Sequence, residues 1–145
     1  MIYFDTSALV KRYVKEKGSI RVDSLLADAD SAATSRLTYP EMLSAFHRRW
    51  REGAYSEDWL NRIVANFETE WDNFIVIDFQ EAFYRSTKDL IRKYSLKGAD
   101  SVHLSSALWL KRATGENLTF AACDKALLDA ARTERLEAEN PGVGE

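Results

Sequence analysis

Apolar residues arrive in two rhythms along this chain, and each switch between them marks a boundary. Short apolar or small-residue runs at 2–5 (IYFD), 31–35 (SAATS), 74–78 (FIVID), 118–123 (LTFAAC) and 136–141 (LEAENP) read as strands. Between them the spacing lengthens to that of amphipathic helices. Leu9, Val10, Tyr13 and Val14 form one stripe over 7–16, and Val22, Leu25, Leu26 and Ala29 another over 19–29. Leu43, Phe46 and Trp50 mark a helix from Thr38 to about Glu52, and Leu60, Ile63, Val64, Phe67, Trp71 and Phe74 one that begins at Ser56. Phe83, Leu90, Ile91 and Tyr94 give the next, followed by SVHLSSALWLKR and KALLDAAR.

Punctuation supports these spans. Gly18, Gly53 and Gly98 stop helical patterns, and Thr38 with Glu41 three residues on has the form of a capping box, with Pro40 in the first turn. Asp100 then starts its helix. The β-branched run in FIVID suggests a central parallel strand.

Strands alternating with helices predict an α/β fold: a central, mainly parallel β-sheet of four to five strands with helices on both faces. With 145 residues and no linker-like stretch, one domain over 1–141 is expected, followed by a flexible tail at 142–145. In such sheets a site forms beyond the carboxyl ends of the strands.

Composition narrows the classes. A net charge of −3 argues against binding nucleic acid through bulk charge. The basic groups at Lys11, Arg12, Lys15 and Lys17, at Arg48, Arg49 and Arg51, and at Arg92, Lys93 and Lys97 read as solvated faces with acids nearby. The apolar runs are too short for a membrane span, and a single cysteine, Cys123, suits a reducing cytoplasm.

Chemistry enters with the acids. Asp5 and Asp124 follow strands directly, while Glu41 and Asp100 fall in first turns of helices beginning near the same sheet end. Singly, each is an ordinary helix cap or dipole partner. Together they are costly, since two carboxylates about 4 Å apart repel by roughly 4 kcal/mol at an effective dielectric near 20. Oxygen-only donors select Mg²⁺ or Mn²⁺, and His47 and His103 are too isolated to build a zinc site. Thr6 and Ser7 can support Asp5 through hydrogen bonds or serve as helix-start residues.

The stretches IYFDTSALVKRY, SRLTYPEMLSAF, LKGADSVHLSSAL and FAACDKALLDAA, in this order, resemble the PIN-domain ribonucleases, most closely the VapC-type toxins of toxin–antitoxin pairs. The resemblance spans Met1 to about Pro141 and sets the family's acids on Asp5, Glu41, Asp100 and Asp124. It implies a metal-dependent endoribonuclease with one or two Mg²⁺ or Mn²⁺ ions, in which a cation polarises the scissile phosphate and activates water. It also implies a VapB-type antitoxin covering the acidic site, and pairing as a homodimer. Two other readings fit the residues: an RNA-processing nuclease of the same fold without an antitoxin, and a non-enzymatic interaction module whose acids are caps.

The remaining candidates read as structural. His103, one turn beyond Asp100, reads as a core histidine, Asp78 as a cap, and Arg36, Lys97 and Lys125 as surface cations. Trp50, Tyr55, Trp59 and Trp71 fall on or next to two consecutive helices, where core packing is the default and a groove for a partner the alternative.

Overall fold

The computed structural model describes residues 1–143, and among them five strands and seven α-helices follow the order set out by the hydrophobic pattern. Strands β1 (Ile2–Phe4), β2 (Ala32–Ser35), β3 (Ile75–Ile77), β4 (Thr119–Ala121) and β5 (Glu137–Glu139) make one sheet in the order β3-β2-β1-β4-β5. Every neighbouring pair is parallel. The chain builds outward from β1 through β2 to β3, then crosses back to β4 on the other side of β1. The order of strands therefore reverses between β1 and β4, where open parallel sheets leave a crevice at their carboxyl ends.

Side-chain alternation on β1 divides the core. Ile2 and Phe4 join one buried cluster with residues of α1 (Thr6–Leu9), α2 (Ser19–Asp28), α3 (Thr38–Arg51) and α4 (Glu57–Trp71). Tyr3, facing the other way, packs with α5 (Ala82–Tyr94), α6 (Gly98–Thr114) and α7 (Lys125–Thr133). Its ring stacks on Phe120 of β4 at 5.5 Å. With helices on both sides, IYF is buried along its whole length, which explains a run of three large apolar residues without polar alternation.

Several boundaries differ from expectation. The helix over 7–16 ends early: beyond Leu9 the backbone tightens into a 3-10 turn at Val10–Arg12. A loop then takes over, pinned by Ser19 Oγ, which accepts from the Glu16 N–H at 2.9 Å and donates to Val14 O at 3.2 Å. Gly18 closes that loop at φ 99°, where a β-carbon would stand 2.8 Å from Lys11 Cδ. FIVID is an edge strand, not a central one. It pairs with β2 alone and leaves Ile75 40% exposed, because a β-branched run suits a half-covered pleat as well as a buried one.

The capping box at Thr38 and Glu41 does not form. Leu37 occupies the cap position without a side-chain bond, and the buried Thr38 hydroxyl lies 2.7 Å from Thr34 Oγ1. Asp100 is the third residue of α6 rather than its start. The chain breaks instead at Ser95, in the left-handed region at φ 55°, so Gly98 enters the helix. Asp78 is not a cap: its carboxylate accepts from Arg36 Nε at 2.7 Å. Gly142 and Val143 donate their N–H groups to Asn140 in a turn, and the rest of the expected tail, Gly144 and Glu145, lies outside the described residues.

Candidate active site

Asp5 lies one residue beyond β1, its N–H bonded to Ala121 O of β4 at 3.0 Å, so it stands where the strand order reverses. Its side chain caps α1 by accepting from Ala8 N–H at 3.0 Å. Ser7 Oγ lies 2.8 and 2.9 Å from the two carboxylate oxygens. The sequence left Asp5 between cap and reactive acid; the geometry shows the cap and also sets the carboxylate in the wall of a cleft. Only 4% exposed, the carboxyl is pushed up to about 6 by burial, with Asp100 adding to the rise, while His103, Ser7 and Ala8 oppose it.

Glu41 reaches the same place from α3. Oε1 accepts from the Thr6 hydroxyl at 2.7 Å and from His103 Nε2 at 2.8 Å. Burial works to raise its pKa, but these two bonds outweigh it and hold the group below the usual carboxylate value. Asp100, in the first turn of α6, is raised by burial and then by Asp124, with Glu41 contributing. Lys97 and His103 partly offset that rise.

Asp5, Glu41 and Asp100 line one cleft of about 790 Å³ together with Thr6, Ser7, His103 and Cys123. Asp124 stands just outside it. Exposed at the start of α7, it caps that helix by accepting from Leu127 N–H at 2.8 Å, and it is felt in the cleft through its charge on Asp100. Among the described residues, no three His, Cys, Asp or Glu side chains are already drawn into a group that could hold a metal ion. The acids surround a space without closing on a point.

Sequence reasoning missed part of this site. Lys11, Glu16, Arg48, Arg49 and Lys97 also line the cleft. Glu16 ties down two of these cations, lying 3.3 Å from both Lys11 Nζ and Arg49 Nη2, whereas Lys97 and Arg48 make no ion pair among the described residues. The basic cluster at 48–51 was legible, but its orientation depended on which face of α3 meets α1. Arg36 and Lys125 are occupied by Asp78 and Asp129. Tyr3, read as strand core, carries its hydroxyl to His103 Nδ1 at 2.8 Å.

The aromatic residues resolve differently from one another. Trp50, Tyr55 and Trp71 pack against the core, Tyr55 donating to Phe46 O at 2.6 Å, while Trp59 remains 51% exposed with Arg62 over its ring. Trp71 also helps line an apolar groove with Tyr39 and Phe79, and Leu37 and Pro40 are shared between that groove and the acidic cleft.

A parallel sheet in this strand order with carboxylates gathered at its carboxyl edge defines a PIN-type α/β protein. Residues 2–133 match the PIN domain family, and the chain belongs to it. It is 33% identical over 132 residues to Ribonuclease VapC45 and to Ribonuclease VapC49, both of Mycobacterium tuberculosis, covering 88% of this chain and 86% of each relative. Its fold is shared with the structure of FitAB bound to an IR36 DNA fragment, at a TM-score of 0.73, 18% identity and coverage of 100% of this chain and 98% of that one. It is likewise shared with VapBC2 from Rickettsia felis bound to a promoter DNA fragment, at a TM-score of 0.65, 17% identity and coverage of 97% and 98%. No helix among the described residues is long and apolar enough to cross a membrane.

Proposed function

We propose that this protein is a divalent-metal-dependent endoribonuclease acting as the toxin of a toxin–antitoxin pair. The observation that carries this reading is the shared cleft of Asp5, Glu41 and Asp100, with Asp124 acting on Asp100, in a chain one-third identical to two ribonucleases. The donor chemistry fits the proposed group. Carboxylates alone suit a hard cation such as Mg²⁺ or Mn²⁺, and a buried Asp5 whose anion is destabilised by its surroundings gains from a positive charge nearby.

Asp5 and Asp100 would be the principal ligands, with Glu41 and Asp124 completing the site. When bound, the cation supplies Lewis-acid stabilisation of a phosphate and a more acidic water. The chain's own contribution is placement. Ser7 and the Ala8 N–H fix Asp5, Thr6 and His103 fix Glu41, and Lys97 and Arg48, which line the same cleft, offer positive charge to phosphates.

The groove that shares Leu37 and Pro40 with the cleft supports an antitoxin segment that crosses apolar surface before reaching the acids. A homodimer belongs to the same reading and is checked by light scattering of the purified chain. The function is tested by incubating the protein with structured RNAs in Mg²⁺ or in EDTA. Cleavage that requires the metal and is lost in Asp5→Asn and Asp100→Asn supports the proposal. Metal-independent cleavage, or equal cleavage by those variants, contradicts it. Growth arrest on expression, relieved by Asp5→Asn, distinguishes a toxin from an RNA-processing enzyme.

A further inference from the structure

His103 is 2% exposed in the middle of α6, yet both of its ring nitrogens are engaged. Nδ1 lies 2.8 Å from the Tyr3 hydroxyl and Nε2 lies 2.8 Å from Glu41 Oε1. A carboxylate only accepts, so Nε2 must carry the proton it shares with Glu41. With Nε2 donating to Glu41, Nδ1 is left to accept, and the buried Tyr3 hydroxyl at 2.8 Å is its donor. Tyr3 is itself fixed by pairing within the central strand and by stacking on Phe120.

The line does not end at Glu41. Thr6, three residues after Tyr3, donates to the same Oε1, so Tyr3, His103, Glu41 and Thr6 close a polar circuit on one short stretch of backbone. Asp5 lies inside that stretch. We propose that Tyr3 and His103 are positioning residues: a strut from the central strand that sets Glu41 relative to Asp5, holding Oε1 and leaving Oε2 to the contents of the cleft. With both nitrogens occupied and the ring buried, His103 acts through Glu41 and not on substrate. A core-filling role alone would be met by an apolar side chain, which could not hold a half-exposed carboxylate.

This inference rests on the ribonuclease reading for its kinetic consequence and stands apart from it in its geometry, so two measurements are made. ¹⁵N NMR of the two histidine side chains should show His103 with its proton on Nε2. That signal should shift in both Tyr3→Phe and Glu41→Ala, while His47 stays in place. RNA cleavage by Tyr3→Phe and by His103→Leu should fall about tenfold to hundredfold in kcat with KM within about twofold, the usual size for partners that orient a metal's ligands. His103→Gln, whose amide can donate to Glu41, should recover part of the loss.

A bare Nε2, or a His103 signal indifferent to Glu41→Ala, overturns the strut. So does unchanged kcat in Tyr3→Phe, which keeps the ring and its stacking and tests the hydroxyl even if His103→Leu does not fold. Should the unaltered protein cleave no RNA, the ribonuclease reading falls and the NMR result alone decides the strut.

Discussion

The four acids form two unlike pairs. Asp5 and Glu41 are held by side-chain donors from two elements, α1 and α6: Ser7 on Asp5, and Thr6 and His103 on Glu41. Asp100 and Asp124 have no comparable support. Asp100 accepts no hydrogen bond among the described residues, and Asp124 bonds to the first turn of its own helix. One pair is therefore held in place by the fold, and the other is less constrained. In the proposed metal site the rigid pair would set where a cation sits and the looser pair would supply the remaining oxygens, so that four like charges need not be held together in its absence.

The comparison is broken most severely by removing a charge from either half. Asp5→Asn and Asp100→Asn should each lower RNA cleavage on the order of a thousandfold or more, the scale seen when a catalytic group is removed. Equal activity in either would dissolve the distinction between site and cap.

The two halves should differ in what the charge costs the fold. A carboxyl titrating at about 6 in place of the ordinary 3.8 binds its proton more tightly folded than unfolded. Its contribution to stability is thus fully present below about pH 4 and lost as pH rises through about 6. Urea unfolding without divalent ions should show Asp5→Asn gaining on the unaltered protein between pH 4 and pH 7, by up to about 3 kcal/mol. Glu41, Asp78, Asp129 and Glu134 are held below their usual range and tilt both proteins the opposite way, so they cancel in the difference. A constant gap across that range would contradict the burial of a charged Asp5.

Ser7→Ala sharpens the same point at smaller scale. It removes the hydroxyl from both Asp5 oxygens and the acceptor for Cys123 N–H, at a cost of about 1–3 kcal/mol in thermal unfolding. On the looser side, Asp124→Ser keeps a cap for α7 whereas Asp124→Ala loses about 1 kcal/mol with it. Both should weaken Mn²⁺ binding alike in calorimetry. If the serine variant binds as the unaltered protein does, Asp124 is a cap and nothing more.

The same contrast marks how far the sequence could be read. The parallel sheet and the helices on both faces follow from hydrophobic period, and the family from the resemblance carried by the four acid-bearing stretches in order. Placing Asp5 at a strand end needed no tertiary knowledge, since it directly follows a buried apolar run, whereas the strand expected over 118–123 stops at Ala121 and leaves Asp124 as the cap of α7, three residues beyond it. Glu41 was harder. A threonine three residues ahead of it made a capping box the local expectation, but Thr38 is drawn to Thr34 and Glu41 to Thr6 and His103, partners far along the chain. FIVID was set in the sheet's centre for its composition, and only the pairing of β3 with β2 alone shows it at the edge. Local pattern located elements and acids; long-range hydrogen bonds decided their roles.

In the proposed site the fixed and loose acids close together on divalent metal, whether one ion or two. Crystals grown with Mn²⁺ and measured for anomalous scattering test it directly. Density is expected within bonding distance of Asp5 and Asp100, with Glu41 and Asp124 turned toward it. Ordered carboxylates with no such density, or manganese bound elsewhere, would contradict it.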